Sequence, residues 1–196
     1  YTIESGIIKI DATAPEIYVS YDNNSPVNDH FYNSTRTATV VITERNLDYN
    51  DVDITVTNTD GTAPVYSQWV KTMGTGNKDN TTHTMTITYN ADGDYTFAIK
   101  VADMAGNTDS GTAFANGTAN PDSFTVDMTK PVVSVGYDNN SAQNGKYFNA
   151  VRNATITVEE HNFDLQFVTT TITAALEGQG ISAPTVSWSH SGDTHT

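Results

Sequence analysis

The sequence predicts an all-β protein, a two-sheet sandwich that occurs twice in tandem. Three observations predict it. Thr and Asn are abundant, while Leu occurs only as Leu47, Leu165 and Leu176; Thr and Val suit pleated, half-buried strands and Leu favours helices. Short apolar–polar alternations of period two recur between turn residues. A long internal repeat doubles the whole pattern.

The repeat has one offset. Tyr21-Asp22-Asn23-Asn24-Ser25 returns 116 residues later as Tyr137-Asp138-Asn139-Asn140-Ser141. The same offset pairs Asp11, Thr13 and Pro15 with Asp127, Thr129 and Pro131. It pairs Asn33 and Arg36 with Asn149 and Arg152, and Glu44, Asn46 and Asp48 with Glu160, Asn162 and Asp164. Such a period is too long for a solenoid and fits a whole domain. The expected organisation is therefore a complete domain over 11–126 and a second over 127–196. The second is expected to lack the counterpart of Met85 to Val126, after Thr194-His195-Thr196 matches Thr82-His83-Thr84 across a four-residue deletion. Residues 1–10 read as the last strand of a preceding repeat. A half-sandwich over 127–196 is expected to need completion, by more polypeptide or by a strand donated from another copy.

Within the complete repeat the strands follow in order. Ile17, Val19 and Tyr21 alternate with polar residues, then Ala38, Val40 and Ile42, then Val52, Ile54 and Val56. A short stretch from Tyr66 to Val70 carries Trp69. Met85, Ile87 and Tyr89 make the next strand, and Tyr95, Phe97, Ile99 and Val101 the strongest one. Phe124 and Val126 close the set of about seven. Asp60-Gly61, Asp92-Gly93, Ala105-Gly106-Asn107 and Asn116-Gly117 supply turns. No helix is expected. In the second repeat Val133, Val135 and Tyr137, then Ala154, Ile156 and Val158, keep the inward set.

Composition limits function. Nine basic and 23 acidic residues give a formal charge of −14, which disfavours nucleic acid and anionic membrane as partners. Cysteine is absent, so disulfides and thiolate chemistry are excluded. No apolar run is long enough to span a membrane. The sequence carries no Gly-x-Ser-x-Gly, His-Glu-x-x-His or phosphate loop, and no enzyme is expected. The five His residues are scattered; His83 and His195 share one repeat position and read as surface positions.

Asp92-Gly93-Asp94-Tyr95 resembles the tyrosine corner of immunoglobulin-like sandwiches, in which the hydroxyl bonds to backbone a few residues upstream. Val101-Ala102-Asp103-Met104-Ala105-Gly106-Asn107 is followed by Phe124-Thr125-Val126-Asp127-Met128-Thr129-Lys130-Pro131, and Ile10-Asp11-Ala12-Thr13-Ala14-Pro15 is a second copy of that junction. Together these resemble the bacterial immunoglobulin-like repeats of large cell-surface and secreted proteins. The resemblance implies a Greek-key sandwich and a role as stalk, spacer or adhesion module. It implies an extracellular, cell-surface or cell-wall location, and neighbouring repeats of the same protein as partners. Pro15 and Pro131 stiffen the junctions on this reading. Neighbouring families bind calcium at domain junctions or carry internal isopeptide bonds.

Calcium wants several oxygen ligands. The candidates are Asp11, Asp22, Asp103, Asn107, Asp127 and Asp138, against the plain reading that Asp and Asn form turns. An isopeptide bond needs a buried lysine, and the one mid-strand lysine, Lys100, falls on the outward phase. Glu44-Arg45-Asn46-Leu47-Asp48 and its counterpart at Glu160 read as loop scaffolding. Two function classes stay open. One is a structural spacer. The other is a module binding glycan or host protein, including an accessory domain of a secreted hydrolase; exposed aromatics would favour it. Trp69 and Trp188, at similar repeat positions after Ala63-Pro64 and Ala183-Pro184, read as packing residues.

Overall fold

The computed structural model describes residues 6, 8–59, 62–109, 111, 113–178 and 186–196. The expected strand over 1–10 and the Asp60-Gly61 and Ala183-Pro184 segments fall wholly or largely outside them; Gly6 and 8–10 belong to no strand. The chain divides into two compact units, Tyr1–Met128 and Thr129–Thr196.

The first unit is a two-sheet sandwich. One sheet contains β1 (Glu16–Tyr21), β3 (Arg36–Thr43), β5 (Val65–Tyr66), β6 (Val70–Thr72) and β7 (Thr82–Tyr89), in the order β1-β3-β7-β5 with β6 also on β7. The other contains β2 (Phe31–Tyr32), β4 (Leu47–Asn58), β8 (Gly93–Asp103) and β9 (Asp122–Val126), in the order β2-β9-β8-β4. All pairings are antiparallel except β2 with β9. Alternation decides which side chains enter. Ile17, Val19 and Tyr21 of β1, Ala38, Val40 and Ile42 of β3, and Met85, Ile87 and Tyr89 of β7 face Tyr95, Phe97, Ile99 and Val101 of β8 and Phe124 and Val126 of β9 in one buried cluster. Burying each such side chain contributes about 1.5–3 kcal/mol. Lys100 is exposed.

Several details differ from the sequence expectation. The single strand expected from Tyr66 to Val70 is two short ones, β5 and β6, with Trp69 in the break between them. Strand β2, two residues long, carried no periodic signal. His83 is a correction: it is fully buried, not a surface residue. It lies in phase with Met85, Ile87 and Tyr89 on β7, so the pleat turns it inward with them.

Among the described residues the second unit contains one antiparallel sheet, β10 (Val132–Tyr137), β11 (Ala154–Glu159), β13 (Thr194–His195) and β12 (His190–Ser191), in the order β10-β11-β13-β12. It also contains α1 (Leu165–Glu177), where no helix was expected. At the repeat offset α1 stands where β4 stands in the first unit. The local sequence explains the change. Val52, Ile54 and Val56 alternate in β4, but their counterparts are Val168, Thr170 and Ile172. Leu165, Val168, Ile172 and Leu176 follow helical spacing. Asp164 is the N-cap, its carboxylate accepting from the Phe167 amide at 2.8 Å. Ala174, Ala175, Leu176 and Glu177 are good helix formers. Among the described residues no helix is long and apolar enough to cross a membrane.

Candidate functional site

The six calcium candidates separate. Three of them, Asp11, Asp103 and Asn107, meet at one end of the first unit. Asp103 closes β8 and starts a tight turn. Its Oδ1 accepts from the Ala105 and Asn107 amides at 2.8 Å, and its Oδ2 from Asn107 Nδ2 at 2.8 Å. Asn107 Nδ2 also donates to the Asp11 carbonyl at 3.2 Å. Asn46 Nδ2 donates to the Asp11 carboxylate, and the Met104 amide to the Asn46 carbonyl at 2.9 Å. These bonds tie the segment before β1, the loop after β3 and the turn after β8 together.

Glu44 completes the group. It follows β3, is buried, and brings a carboxylate oxygen within 4.8 Å of oxygens of Asp11 and Asp103. The Asn46 amide donates to its Oε1 at 2.6 Å. The sequence reading gave Glu44 only a loop role. Its signal was the recurring Glu-x-Asn pair, in which the carboxylate accepts from the amide two residues on. Burial pushes the Glu44 carboxyl up, with the charges of Asp11 and Asp103 adding to it against the Asn46 bond. Burial also opposes ionisation of Asp103, but its bonds from Asn107, Ala105 and Gly106 outweigh this and hold it below the usual carboxylate range. Arg45 lies at 3.9 Å from Asp11 and pairs with Asp79 at 2.9 Å. A groove of about 410 Å³ opens beside the cluster, lined by Asp11, Glu16, Glu44, Arg45 and Asp79 among others. Among the described residues, Asp11, Glu44 and Asp103 bring carboxylate oxygens close enough together to offer them to a hard cation, but both Asp103 oxygens already accept hydrogen bonds from Ala105 and Asn107.

The other three candidates lie elsewhere. Asp127 follows Val126, which pairs with Gly93 at the start of β8. Asp103 ends the same strand, roughly 30 Å away at strand rise. Asp22 Oδ1 accepts from the Thr37 amide at 2.7 Å, and Asp138 Oδ1 in the second unit accepts from the Asn153 amide at 2.8 Å. These two are turn caps at matching repeat positions; hydrogen bonds from Asn153 hold Asp138 below the usual range.

The residues singled out for structure sit as follows. Tyr95 is buried, and its hydroxyl donates to the Ala91 carbonyl at 2.9 Å. Trp69 packs against the core and stacks on Tyr49, with centroids 5.6 Å apart. Pro15 is buried just before β1, and Pro131 is exposed just before β10.

A frame of side chains recurs in both units; the sequence left its arginines without a role and placed its histidines on the surface. The Arg36 guanidinium lies 3.6 Å from the Tyr21 ring centroid and 4.3 Å from that of Tyr32, and its Nε donates to the Asn23 carbonyl at 3.1 Å. Arg152 lies 3.5 Å from the Tyr137 ring and 4.3 Å from that of Phe148, and its Nε donates to the Asn139 carbonyl at 2.7 Å. His83 Nε2 donates to the Glu44 carbonyl, and His195 Nε2 to that of Glu160 at 3.1 Å. His83 stands opposite Ile42, and His195 opposite Val158.

No family model, curated protein or solved structure matches this chain.

Proposed function

We propose that the chain is a non-catalytic spacer of a bacterial surface or secreted multidomain protein, built of immunoglobulin-like domains in tandem and presenting other domains for adhesion. The strand order supports the fold part of this reading. The orders β1-β3-β7-β5 and β9-β8-β4 are the ones that the A-B-E-D and G-F-C sheets of an immunoglobulin-like Greek key would have. The observation that carries the functional reading is the recurring frame of Arg36 on Tyr21 and His83 on Glu44, with Arg152 on Tyr137 and His195 on Glu160 at the matching places. Chemistry that repeats with the fold maintains the fold; a ligand site would more naturally be private to one copy. The net charge of −14 supports a soluble module without a nucleic-acid partner.

The alternative is a glycan- or protein-binding module, and the half-exposed Tyr49 beside Trp69 favours it. Its weakness is that the two rings stack on one another and Trp69 also packs on the core. Calcium at Asp11, Glu44 and Asp103 is a subsidiary reading that rests on the convergence of three carboxylates alone. A glycan and extracellular-matrix protein array tests the spacer directly. The spacer gives no saturable binding. Saturable binding that Tyr49→Ala abolishes while the fold persists would establish the alternative.

A further inference from the structure

On β10 the second unit exposes part of a sheet face whose counterpart in the first unit is core, while Val158 on the neighbouring β11 is buried. Val133, Val135 and Tyr137 on β10 are 60%, 52% and 44% exposed, while Ile17, Val19 and Tyr21, 116 residues earlier, are 5%, 0% and 7% exposed. In the first unit β8 and β9 cover those positions. The arginine at the rim repeats the contrast. Arg36 is covered by a third ring, Phe124, at 4.3 Å and pairs with Asp122 Oδ2 at 3.3 Å, and both come from β9. Arg152 has the first two rings and stands exposed. A groove of about 640 Å³ is lined by Ile156 of β11, Ile172 and Leu176 of α1, and Trp188, together with Arg152 and several polar residues.

The first unit shows what chemistry fits such a face. We propose that the second unit binds an antiparallel β-ribbon with the side-chain pattern of β8 and β9. One strand carries alternating aromatic and aliphatic residues, as in Tyr95, Phe97, Ile99 and Val101. The other carries an acidic residue two before an aromatic, as in Asp122 and Phe124, so that the carboxylate meets Arg152 and the ring covers it. Burial of the apolar face drives the association, and the Arg152 pair fixes its register. The inference rests on the geometry of the second unit and stands apart from the spacer role.

The test uses the full chain and a synthetic peptide with the sequence of residues 93–126. Hydrogen exchange followed by mass spectrometry is read with and without peptide. The peptide should protect amides of 132–137 and 154–159. Asp122→Arg in the peptide should weaken binding by about tenfold, and Arg152→Asp in the chain should restore it to the altered peptide. Because the free peptide can self-associate, the same segment is also tethered after Thr196 through a flexible linker, and the same amides should then be protected. Protection confined to the first unit, indifference to the charge reversal, or no protection in the tethered form would each overturn the proposal. So would protection of these amides without peptide in a concentration-dependent dimer, which would assign the face to a second copy.

Discussion

His83 Nε2 donates a hydrogen bond to the Glu44 carbonyl oxygen at 2.9 Å from a fully buried position. A carbonyl can only accept, so the proton is on Nε2. Nδ1 is then free to accept from the Tyr49 hydroxyl at 2.8 Å. Burial holds the ring's pKa below the ordinary 6.5, which favours this neutral form with both nitrogens used.

This gives a pH dependence with a definite sign. A base whose folded pKa is depressed adds stability above its unfolded value, and that stability is lost as pH falls through the folded value. The denaturation midpoint should therefore drop as pH is lowered from about 7 through the ordinary His range. His83→Leu should remove this step. It should also cost about 1–3 kcal/mol, because the Glu44 carbonyl loses its donor. Urea titrations across that range check both.

Two tyrosines of one ring cluster should respond differently to loss of the hydroxyl. Tyr89 and Tyr95 are both buried, with centroids 4.9 Å apart. The Tyr95 hydroxyl bonds to Ala91, whereas that of Tyr89 has no hydrogen-bond partner among the described residues. Tyr95→Phe should cost about 1–3 kcal/mol and leave the Ala91 carbonyl without that donor. Tyr89→Phe should be neutral or stabilising. Equal effects in chemical denaturation would contradict the assignment of Tyr95 as the corner.

Arg36 and Arg152 occupy equivalent places with different surroundings. Arg36 is buried over three rings and paired with Asp122, so Arg36→Ala should cost about 3–5 kcal/mol. Arg152 is exposed, and Arg152→Ala should cost less than about 1 kcal/mol. Paired thermal melts of the two variants distinguish them.

Glu44 carries the opposite sign to His83. Its folded pKa is raised above the ordinary value near 4.5, so its contribution is present at acid pH and lost as pH rises through the raised value. Glu44→Gln imitates the protonated form and should raise the midpoint at neutral pH in chelator, with the gain vanishing near pH 4. The same samples decide the calcium reading. A cation held by Asp11, Glu44 and Asp103 would raise the wild-type Tm in excess calcium and leave the variant unmoved. An unchanged wild-type Tm would remove it.

Much of the fold was legible because period-two alternation and burial are the same fact seen twice. Ile17 to Tyr21, Ala38 to Ile42, Met85 to Tyr89 and Tyr95 to Val101 are all inward sets on both counts. His83 had the same phase as Met85, but its polarity masked a core position. Helix α1 was hidden because the repeat offset sets residues 163–174 against β4, and Thr169, Thr170, Thr171 and Thr173 suit a strand. The broken alternation at Thr170 and the Asp164 cap were the available warnings. The meeting of Asp11, Glu44 and Asp103 depends on how β1, β3 and β8 are ordered between sheets, which residue spacing does not encode. The same holds for the separation of Asp22 and Asp127 from that cluster.

The spacer account makes its most direct claim about load. In the first unit β2 runs parallel to β9, with the Thr125 amide donating to the His30 carbonyl at 3.0 Å and the Asp127 amide to that of Tyr32 at 2.8 Å. Tension that pulls the chain before β2 away from the chain after β9 loads these bonds together, in shear. The deciding measurement is single-molecule stretching of the full chain between handles at its two ends. The account predicts that the first unit opens in one cooperative step, releasing about 3.5 Å per residue. It also predicts that Asp127→Pro, which removes one of the two donors, lowers the force of that step. Gradual extension with no distinct step, or a step whose force Asp127→Pro leaves unchanged, would contradict it.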